Sequence, residues 1–405
     1  MSEWKKVKLG EISQTIQTGP FGSQLHQSDY SVIGIPVVMP KDIIAGNIEE
    51  ASIARVEQHH IDRLSRHMIS YGDILYARRG DVGKCAFTKQ NQEGWLCGTG
   101  CLRVTINPDM ANPKFVFFQL QKQETIGWIT NHAIGSTMLN LNTTILSNAP
   151  VEIPSLRIQN RIVEILSRYD SLIENYQKQI KLLEEAAQRL YKEWFIDLRF
   201  PGHENTKIVD GVPEGWERKK VGEIGTVITG KTPSTSNKEN YGGSIPFITI
   251  PDMHTGIYPV SSVFLSEKGA ESQSKKYIPQ GALIVSCIGT AGLVCITKER
   301  CQTNQQINSL ILDDKEMLHY MYFVFLSLKE HLNNIGSNGA TMTNVNKSKF
   351  EGIDIVVPSS CIIRDFSQRT TPYFENILSL QSQIRLLTEA RDRLLPKLMS
   401  GEITV

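Results

Sequence analysis

The residues of this chain that could carry chemistry form incomplete motifs. Gly80-Asp-Val-Gly83-Lys84 looks like the end of a phosphate-binding loop. Such a loop also needs a glycine five residues before its Gly-Lys pair, and that position holds Arg78. The sequence also lacks the His-Glu-x-x-His motif of zinc hydrolases and the Asn-Pro-Pro-aromatic stretch with which amino-methyltransferases hold an extruded base. These absences favour a binding protein over an enzyme.

Histidine and cysteine spacing does not complete a metal site either. Three histidines, at positions 59, 60 and 67, lie near Asp62, and this pattern favours a solvated helix. The seven cysteines are odd in number and include no Cys-x-x-Cys pair. Cys97 and Cys101 leave half a metal site open as an alternative, but buried free thiols fit better. We therefore predict no catalytic residue, no metal and no cofactor bound by this chain.

The longest organised element is a segment without proline or glycine, residues 161–194. Its apolar positions alternate in steps of four and three, which is typical of a helix that packs lengthwise on another helix. These positions are Ile162, Leu166, Tyr169, Ile173, Tyr176, Ile180, Leu183, Ala187, Leu190 and Trp194. A helix of this length is about 50 Å long. The alternative is a core helix of an ordinary bundle.

A partner for this helix occurs in the same chain. Residues 179–186 recur as 383–390, and the same shift of 204 places apolar residues on a second seam. That seam comprises Phe366, Tyr373, Ile377, Leu380, Ile384, Leu387, Leu394 and Leu398. Thr370 and Arg391 interrupt it, and Pro372 predicts a kink or a helix start because proline removes a donor and clashes with the preceding turn.

The repeat extends beyond the helices. Trp4 returns as Trp216, Thr18-Gly19 as Thr229-Gly230, and the stretch 135–142 as 339–346. We therefore expect a first globule at 1–155, a central helix at 156–200, a linker at 201–215, a second globule at 216–358 and a distal helix at 359–400. The fold class is α+β: two similar α/β-type globules, an internal duplication, separated by two long, paired, coiled-coil-like helices. Short strands are predicted at 35–38, 73–77 and 101–106, and helices at 114–123 and 316–328.

Composition excludes fewer classes of function than the repeat does. The net charge is +1, and acidic and basic residues balance in every region, whereas a nucleic-acid binder often has a basic excess. No apolar run of about 18 residues could span a bilayer, and the amino terminus has no apolar signal segment. We expect a cytoplasmic protein.

Several motifs, in this order, resemble the specificity subunit of type I restriction–modification systems. They are Thr-Gly-Pro-Phe-Gly-Ser at 18–23, Gly-Asp-Ile-Leu-Tyr-Ala-Arg-Arg-Gly at 72–80, Gly-Thr-Gly at 98–100, Ile-Pro-Ser-Leu at 153–156, Gln-Asn-Arg-Ile at 159–162, Leu-Tyr-Lys-Glu-Trp-Phe at 190–195 and Val-Pro-Glu-Gly-Trp at 212–216. The resemblance covers the whole chain. It implies two target-recognition domains on paired antiparallel helices, each reading one half of a split, asymmetric DNA site.

The resemblance also implies partners and their cofactors. Two modification subunits carry S-adenosylmethionine and methylate one adenine in each half-site, and restriction subunits add ATP- and Mg-dependent translocation and cleavage of unmodified DNA. The chain itself is then a non-catalytic binder of double-stranded DNA. Leu172, Tyr176, Leu182 and Leu386 exceed what one helix pair can bury, and we expect them to contact the modification subunits.

Candidate DNA contacts follow from side-chain chemistry, since Arg suits guanine and Asn or Gln suits adenine. The first globule offers Gln24, His26, Lys41, Arg78, Arg79 and Lys84. The second offers Lys231, Thr232, Ser234, Asn237, Lys238, Gln302, Asn304, Gln305 and Gln306. Asn140, Asn142, Asn344, Asn346 and Lys347 recur in both copies and fit a backbone contact or a turn cap better. Ion pairs for Arg78 and Arg79, and internal hydrogen bonds for the amides, are the alternatives.

Two other functions remain open on the residues alone. One is a protein–protein scaffold in which a rod holds two globules, and the balanced charge favours it. The other is a detached fragment of a fused methyltransferase–nuclease. Copurification with a methyltransferase subunit, followed by a shift of a DNA duplex, would discriminate among the three.

Overall fold

The chain forms two compact units that each combine a globule with part of both long helices. The computed structural model describes residues 4–135, 139–337 and 344–405, so parts of the repeated stretches 135–142 and 339–346 lie outside the described residues. Unit 1 comprises Met1–Ser171 and Thr388–Val405, and unit 2 comprises Leu172–Leu387. The division therefore cuts across both predicted helices.

Unit 1 is built on one central antiparallel sheet. Its strands are β1 (Lys5–Lys8), β2 (Ser13–Thr18), β3 (Tyr30–Ser31), β4 (Ile35–Val38), β5 (Ile43–Ile44), β6 (Asn47–Ile48), β7 (Ala54–Val56), β8 (Ile74–Ala77), β9 (Cys85–Phe87), β10 (Leu96–Cys97), β11 (Cys101–Ile106) and β12 (Pro150–Ile153). The central sheet has the order β2-β11-β8-β9, and a second sheet has the order β10-β4-β7-β3 with β10 parallel to β4. β1 pairs with β12, and β5 with β6.

The helices of unit 1 pack on these two larger sheets, with α1 on the second sheet through Ile61. They are α1 (Gln58–Arg63), α2 (Pro113–Leu120), α3 (Gln123–His132), α4 (Thr143–Ser147) and the first part of α5 (Leu156–Tyr191). α2 begins where Asn112 accepts hydrogen bonds from the backbone amides of Lys114 and Phe115, with proline at the first helical position. Its buried Phe115 and Val116 lie in the same core as Ile74 of β8. β8 is apolar throughout because it is buried along its whole length.

Unit 2 repeats this architecture. Its strands are β13 (Ile208–Val209), β14 (Val212–Pro213), β15 (Glu217–Lys220), β16 (Gly225–Thr229), β17 (Tyr241–Ile248), β18 (Val263–Leu265), β19 (Leu283–Ser286), β20 (Val294–Ile296), β21 (Gln302–Thr303), β22 (Ile307–Leu312) and β23 (Asp354–Val357). Its helices are α6 (Glu267–Glu271), α7 (Leu318–Ser327), α8 (Lys329–Ser337), α9 (Lys347–Glu351) and most of α10 (Ser360–Ser400). The sheets β16-β22-β19-β20 and β18-β17-β21 correspond to the two sheets of unit 1.

The strand registers of the two units match at individual residues. β2 pairs with β11, and β16 with β22, so that Thr18 lies opposite Leu102 and Thr229 opposite Asn308. The parallel pair β4–β10 is matched by β17–β21. The predicted strands at 35–38, 73–77 and 101–106 are confirmed as β4, β8 and β11. The predicted helices are confirmed as α2, which ends at Leu120, and α7.

The long helices pair antiparallel within each unit. In unit 1, the Asp170 carboxylate of α5 lies 3.1 Å from the Arg391 guanidinium of α10. In unit 2, the π-helical turn Lys192–Ile196 that extends α5 places Trp194 against Phe366 of α10, with ring centroids 5.9 Å apart. The partner number on α10 falls as the residue number on α5 rises, which is the antiparallel order that the family resemblance implies.

The seam residues are buried to different degrees. Ile162, Leu166, Ile173, Ala187, Ile377 and Leu380 are at most 9% exposed. The half-buried members are Tyr169, Tyr176, Ile180, Leu183, Leu190, Ile384, Leu387 and Leu394. Leu172, Leu182 and Leu386 are exposed by 44%, 64% and 55%, as the sequence predicted, whereas Tyr176, which was predicted with them, is half-buried.

The predicted helix start at Pro372 is wrong, because α10 is one continuous helix from Ser360 to Ser400. Side-chain hydroxyls bind helix carbonyls beside the proline: Thr370 donates to the carbonyl of Phe366, and Thr371 to that of Ser367. Phe374 then lies in the core of unit 2, next to the proline. Tertiary packing therefore outweighs the loss of one helix hydrogen bond.

Polar residues of the helix pair contact the helices that cover the sheets. Thr370 is fully buried, and its hydroxyl lies 2.9 Å from Nδ1 of His319 in α7. Asp170, besides its contact with Arg391, lies 3.0 Å from Lys114 Nζ of α2. Polar contacts therefore join the helix pair to a covering helix in both units.

Candidate nucleic-acid interface

In unit 1, four loops meet at one edge of the central sheet. They follow β2 and β8 and precede β11 and α4. The Gly19 amide donates to the carbonyl of Cys101 at 2.9 Å. The Arg78 amide donates to Gly100 at 2.7 Å, and the Leu141 amide to Arg78 at 2.8 Å. Backbone hydrogen bonds thus hold together loops that are far apart in the sequence.

Unit 2 repeats the same set of bonds. The Gly230 amide donates to the carbonyl of Ile307 at 3.0 Å. The Cys287 amide donates to Gln306 at 2.8 Å, and the Val345 amide to Cys287 at 2.9 Å. Arg78 therefore corresponds to Cys287, and Gly100 to Gln306. We call these two loop edges edge 1, in unit 1, and edge 2, in unit 2.

The repeated Thr-Gly pairs have a steric cause. A Cβ atom at Gly19 would lie 2.1 Å from the carbonyl oxygen of Gly98, and one at Gly230 would lie 2.1 Å from that of Asn304. No side chain fits at either place, so the backbone of one loop crosses directly over the other. The close crossing leaves the neighbouring side chains to point outward.

Arg78 and Gln24 come together on edge 1 through Phe21. The Arg78 guanidinium lies 5.7 Å from the centroid of the Phe21 ring, which is 52% exposed. The Gln24 side-chain oxygen accepts a hydrogen bond from the Phe21 amide at 3.0 Å. Nε of Arg78 is buried and has no partner among the described residues. A buried N–H donor without a protein partner suits a hydrogen-bond acceptor that a ligand supplies.

Arg79 and Lys84 lie on the same edge. Arg79 is exposed and forms an isolated bridge with Asn140, whose side-chain oxygen is buried without a partner in the described residues. Lys84 lies 3.2 Å from Asp81, and both side chains are at least half exposed. Within the described ranges, neither Arg78 nor Arg79 has a carboxylate partner. The alternative of internal ion pairs for Arg78 and Arg79 therefore finds no partner among these residues, whereas Lys84 has one.

His26 and Lys41 lie apart from this constellation. His26 is exposed, and its amide donates to Asp29 at 2.8 Å. Lys41 Nζ donates to the carbonyl of Ser52 at 3.3 Å. These local contacts explain their positions without involving the other three loops of edge 1.

On edge 2, the amide-rich stretch forms an ordered surface. The Thr232 hydroxyl donates to the side-chain oxygen of Gln305 at 2.5 Å. Asn304 Nδ2 donates to the Gln306 side-chain oxygen at 3.0 Å, and the Gln306 backbone amide donates to Asn304 Oδ1 at 3.1 Å. The exposed Gln305 is therefore oriented by Thr232, while Asn304 and Gln306 support it.

The other polar residues predicted in unit 2 have local roles. Gln302 is fully buried: its amide donates to the carbonyl of Ala270 at 2.9 Å, and its oxygen accepts from Gln273 at 2.7 Å. It is an internal tie and is not available to a base. Lys231, Ser234, Asn237 and Lys238 are exposed, and Asn237 caps a 3-10 turn by accepting from the amide of Glu239.

The asparagines shared by both copies are mainly structural. Asn142 and Asn346 are N-caps of α4 and α9, and each side-chain oxygen accepts the amide three residues later at 2.8 and 3.0 Å. Asn344 forms an isolated bridge with Ile288, as Asn140 does with Arg79. Lys347 lies 3.4 Å from Glu351. Repetition here reflects the shared fold.

The cysteine prediction is confirmed for six of the seven residues. All seven are free thiols, and all but Cys361 are buried. Burial raises the pKa of Cys97 to about 12, and the Cys101 thiol donates to the carbonyl of Val38 at 3.3 Å. These protonated thiols are structural. Among residues 4–135, 139–337 and 344–405, no group of three or more His, Cys, Asp or Glu side chains could hold a metal ion.

The histidines near Asp62 do not share one helix as expected. Those at 59 and 60 lie on α1, whereas His67 is 2% exposed and belongs to a separate 3-10 turn. Phe21 and Gln273 are contributors that the sequence prediction missed. An aromatic residue within a Gly-rich loop is a signal that could have indicated Phe21, but nothing in the local sequence indicates Gln273. No helix in the described part of the chain is long and apolar enough to cross a membrane.

Known proteins resemble this chain over its whole length. The family model for the type I restriction modification DNA specificity domain matches residues 1–185 and again 213–366. The HindI specificity subunit of Haemophilus influenzae is 31% identical, with all of both chains covered. The MjaIX specificity subunit of Methanocaldococcus jannaschii is 28% identical over all of this chain and 94% of its own. The S subunit from M. genitalium has the same fold, with a TM-score of 0.64, 16% identity, and 98% and 96% coverage.

Proposed function

The chain belongs to the type I restriction–modification specificity family, whose members are the non-catalytic DNA-recognition subunits of these systems, and we propose that each unit reads one half of a bipartite, asymmetric DNA site through its loop edge. Edge 1 of unit 1 and edge 2 of unit 2 would each face one half-site. The proposal assigns base reading to side chains that differ between the edges, and positioning to those that the edges share.

The observation that carries the proposal is a common backbone with different side chains. Equivalent backbone hydrogen bonds place Arg78 of unit 1 where unit 2 has Cys287, and Gly100 where unit 2 has Gln306. Two scaffolds of one design thus present different donors and acceptors. Different half-sites require this difference, because each base pair offers its own pattern of donors and acceptors in the major groove.

The residues best placed to read bases are few. On edge 1 they are Arg78 and Arg79, since guanidinium groups suit guanine O6 and N7. On edge 2 they are Thr232 and Gln305, since an amide suits adenine N6 and N7. The buried Gln302 and the caps Asn142 and Asn346 are left out of this set because their polar atoms are already engaged.

The same proposal assigns the partners. Leu172, Leu182 and Leu386 form an exposed apolar surface on the helix pair of unit 2, and modification subunits would cover it. Two such subunits would supply S-adenosylmethionine and methylate one adenine in each half-site. Restriction subunits would supply the ATP- and Mg-dependent step. The chain itself would hold no cofactor.

Exchanging one globule tests the proposal. Residues 1–155 are replaced by the corresponding part of the Haemophilus influenzae relative, and the chain is coexpressed with its modification subunits. Methylation mapping should show one new half-site and one unchanged half-site. The reciprocal exchange of residues 216–358 is the matched control and should change the other half. New sequences in both halves, or in neither, would contradict independent reading by the two units.

A further inference from the structure

Both units contain a short basic turn at the same place in the fold. In unit 1 it is the 3-10 turn Ser65–His67, and in unit 2 it is the 3-10 turn Ser274–Lys276. Both turns share one backbone hydrogen bond at equivalent positions: the His67 amide donates to the carbonyl of Leu64, and the Lys276 amide to that of Gln273, both at 2.8 Å. Each leads to the second strand of the central sheet, β8 or β19. We call them the basic turns.

The basic turn of unit 1 is tied to edge 1. Nδ1 of His67 lies 3.0 Å from the carbonyl oxygen of Thr18, and the Gln17 amide group donates to the Arg66 carbonyl at 2.5 Å. Arg66 Nε donates to Nε2 of His67 at 3.0 Å, so Nδ1 carries the proton that Thr18 accepts. Thr18 immediately precedes the loop that holds Phe21. His67 thus fixes Arg66 beside edge 1.

Burial and the neighbouring guanidinium keep this histidine neutral. His67 is 2% exposed, and desolvation followed by the charge of Arg66 lowers its pKa. A neutral ring can accept from Arg66 and donate to Thr18 at the same time, whereas an imidazolium could only donate. The Arg66 side chain itself is exposed.

The basic turn of unit 2 is tied to edge 2 by different side chains. Gln273, which precedes the turn, donates to the carbonyl of Lys231 at 2.8 Å and to the side-chain oxygen of Gln302 at 2.7 Å. Lys231 belongs to the loop that follows β16, as Thr18 belongs to the end of β2. Lys275 is exposed and Lys276 is half-buried. The two basic turns therefore lie at the same place in the fold, although different residues make the hydrogen bonds that join them to their edges.

The basic turns carry charge that the protein does not neutralise. In the described ranges, Arg66, Lys275 and Lys276 make no salt bridge. Some other described cations near the sheets are paired, as Lys84 is with Asp81 and Lys268 with Glu239. A chain with a net charge of only +1 that leaves these cations unpaired at the same place in both units presents a local positive potential there.

We infer that the basic turns are phosphate contacts, one for each half-site, in which Arg66 and Lys275 bind the DNA backbone without reading sequence. The inference rests on the proposed function, since it requires DNA at both edges. Two units that read different half-sites cannot share a base contact, but they can share a backbone contact, because every half-site presents the same phosphates. Repetition of the cation with a different side chain, arginine or lysine, suits a contact that needs charge only.

The test uses the complex with its modification subunits and measures duplex affinity over a range of salt concentrations. Each phosphate contact contributes about 0.9 to the slope of log affinity against log salt, so Arg66→Ala and Lys275→Ala should each flatten it by about one. The loss of affinity between about 50 and about 200 mM salt should then shrink by a factor of about 3.5 for each variant. Specific and unrelated duplexes should be affected alike, and methylation mapping should give an unchanged site.

Matched controls are available at another pair of equivalent positions. Lys8 and Lys220 are exposed and end β1 and β15, which belong to the small sheets, so Lys8→Ala and Lys220→Ala should leave the slope unchanged. Arg66→Lys should restore it. An unaltered slope in folded Arg66→Ala and Lys275→Ala complexes would overturn the inference, and so would a changed methylation sequence. Failure of the proposed function would look different: the wild-type complex itself would show no preference for any duplex.

Discussion

His319 makes the stability of unit 2 depend on pH. Its side chain is 7% exposed, and Nδ1 lies 2.9 Å from the Thr370 hydroxyl. Because that hydroxyl donates to the carbonyl of Phe366, the histidine must donate to it from Nδ1. The ring also stacks on Phe374, with centroids 4.0 Å apart and planes within 7°. Burial lowers the pKa of His319 from 6.5 to about 4.

The direction and size of the effect follow from this pKa. Below a pH of about 6.5 the unfolded chain binds a proton that the folded chain does not, so the free energy of unfolding falls as the pH falls. The fall ends near pH 4, where the folded histidine also protonates. A difference of about 2.5 between the two pKa values corresponds to about 3 kcal/mol, at about 1.36 kcal/mol for each unit. Most of this loss lies between about pH 6 and about pH 4.5.

Urea unfolding of wild type and His319→Gln at a series of pH values measures the effect. The variant should lose about 1 kcal/mol near pH 7 for one lost hydrogen bond. The difference in free energy of unfolding should shrink as the pH falls and then favour the variant, because glutamine binds no proton in the unfolded chain. His331→Gln, at an exposed position on α8, is the matched control and should follow the wild type. A difference between wild type and His319→Gln that stays constant from about pH 7 to about pH 4 would refute a buried neutral histidine.

Three other predictions concern the helix pair and edge 1. Arg391→Ala should lower the free energy of unfolding of unit 1 by about 1–2 kcal/mol, since it leaves Asp170 partly buried with Lys114 alone. This loss should disappear in an Asp170→Ala background. A loss that persists in that background would exclude the ion pair as its cause. Leu182→Asp should abolish copurification with modification subunits and change stability by no more than about 0.5 kcal/mol, whereas normal assembly would exclude this surface as the docking site. Arg78→Ala should cost about 1–3 kcal/mol of binding to the first half-site and relax its sequence; equal weakening for all duplexes would make Arg78 a phosphate contact instead.

The sequence predicted most of the architecture because periodicity and repetition are local signals. The alternation of steps along 161–194 required only that the apolar side of α5 be buried, and Ile162 and Leu166 are buried. The helix start predicted at Pro372 is wrong because proline disfavours the helix locally, whereas the packing of Phe374 in the core of unit 2 stabilises the continuous helix. Contacts between residues far apart in the sequence could not be predicted, because no local pattern indicates them. The hydrogen bond from Gln273 to the Lys231 carbonyl is one example.

Candidate site residues were harder to predict for the same reason. The half-buried Arg78 and the fully buried Gln302 have equally suitable chemistry for DNA, and only the fold distinguishes them. Arg66 was absent from the sequence-based candidates because no glycine-rich motif surrounds it. Its position beside edge 1 depends on the buried contact of His67 with Thr18, which are 49 residues apart.

The contact between Asp170 and Arg391 has a consequence for how chains associate. The duplication gave α5 and α10 similar seams, so the α5 helices of two chains could pair with each other in place of α10. The repeat shift of 204 places Ala187 of α5 where α10 has Arg391, and Ala187 offers no charge to Asp170. Such a swapped dimer would leave the partly buried Asp170 with Lys114 alone, at the cost of about 1–2 kcal/mol expected for Arg391→Ala. One ion pair thus favours folding within a single chain and preserves two different recognition units in each complex.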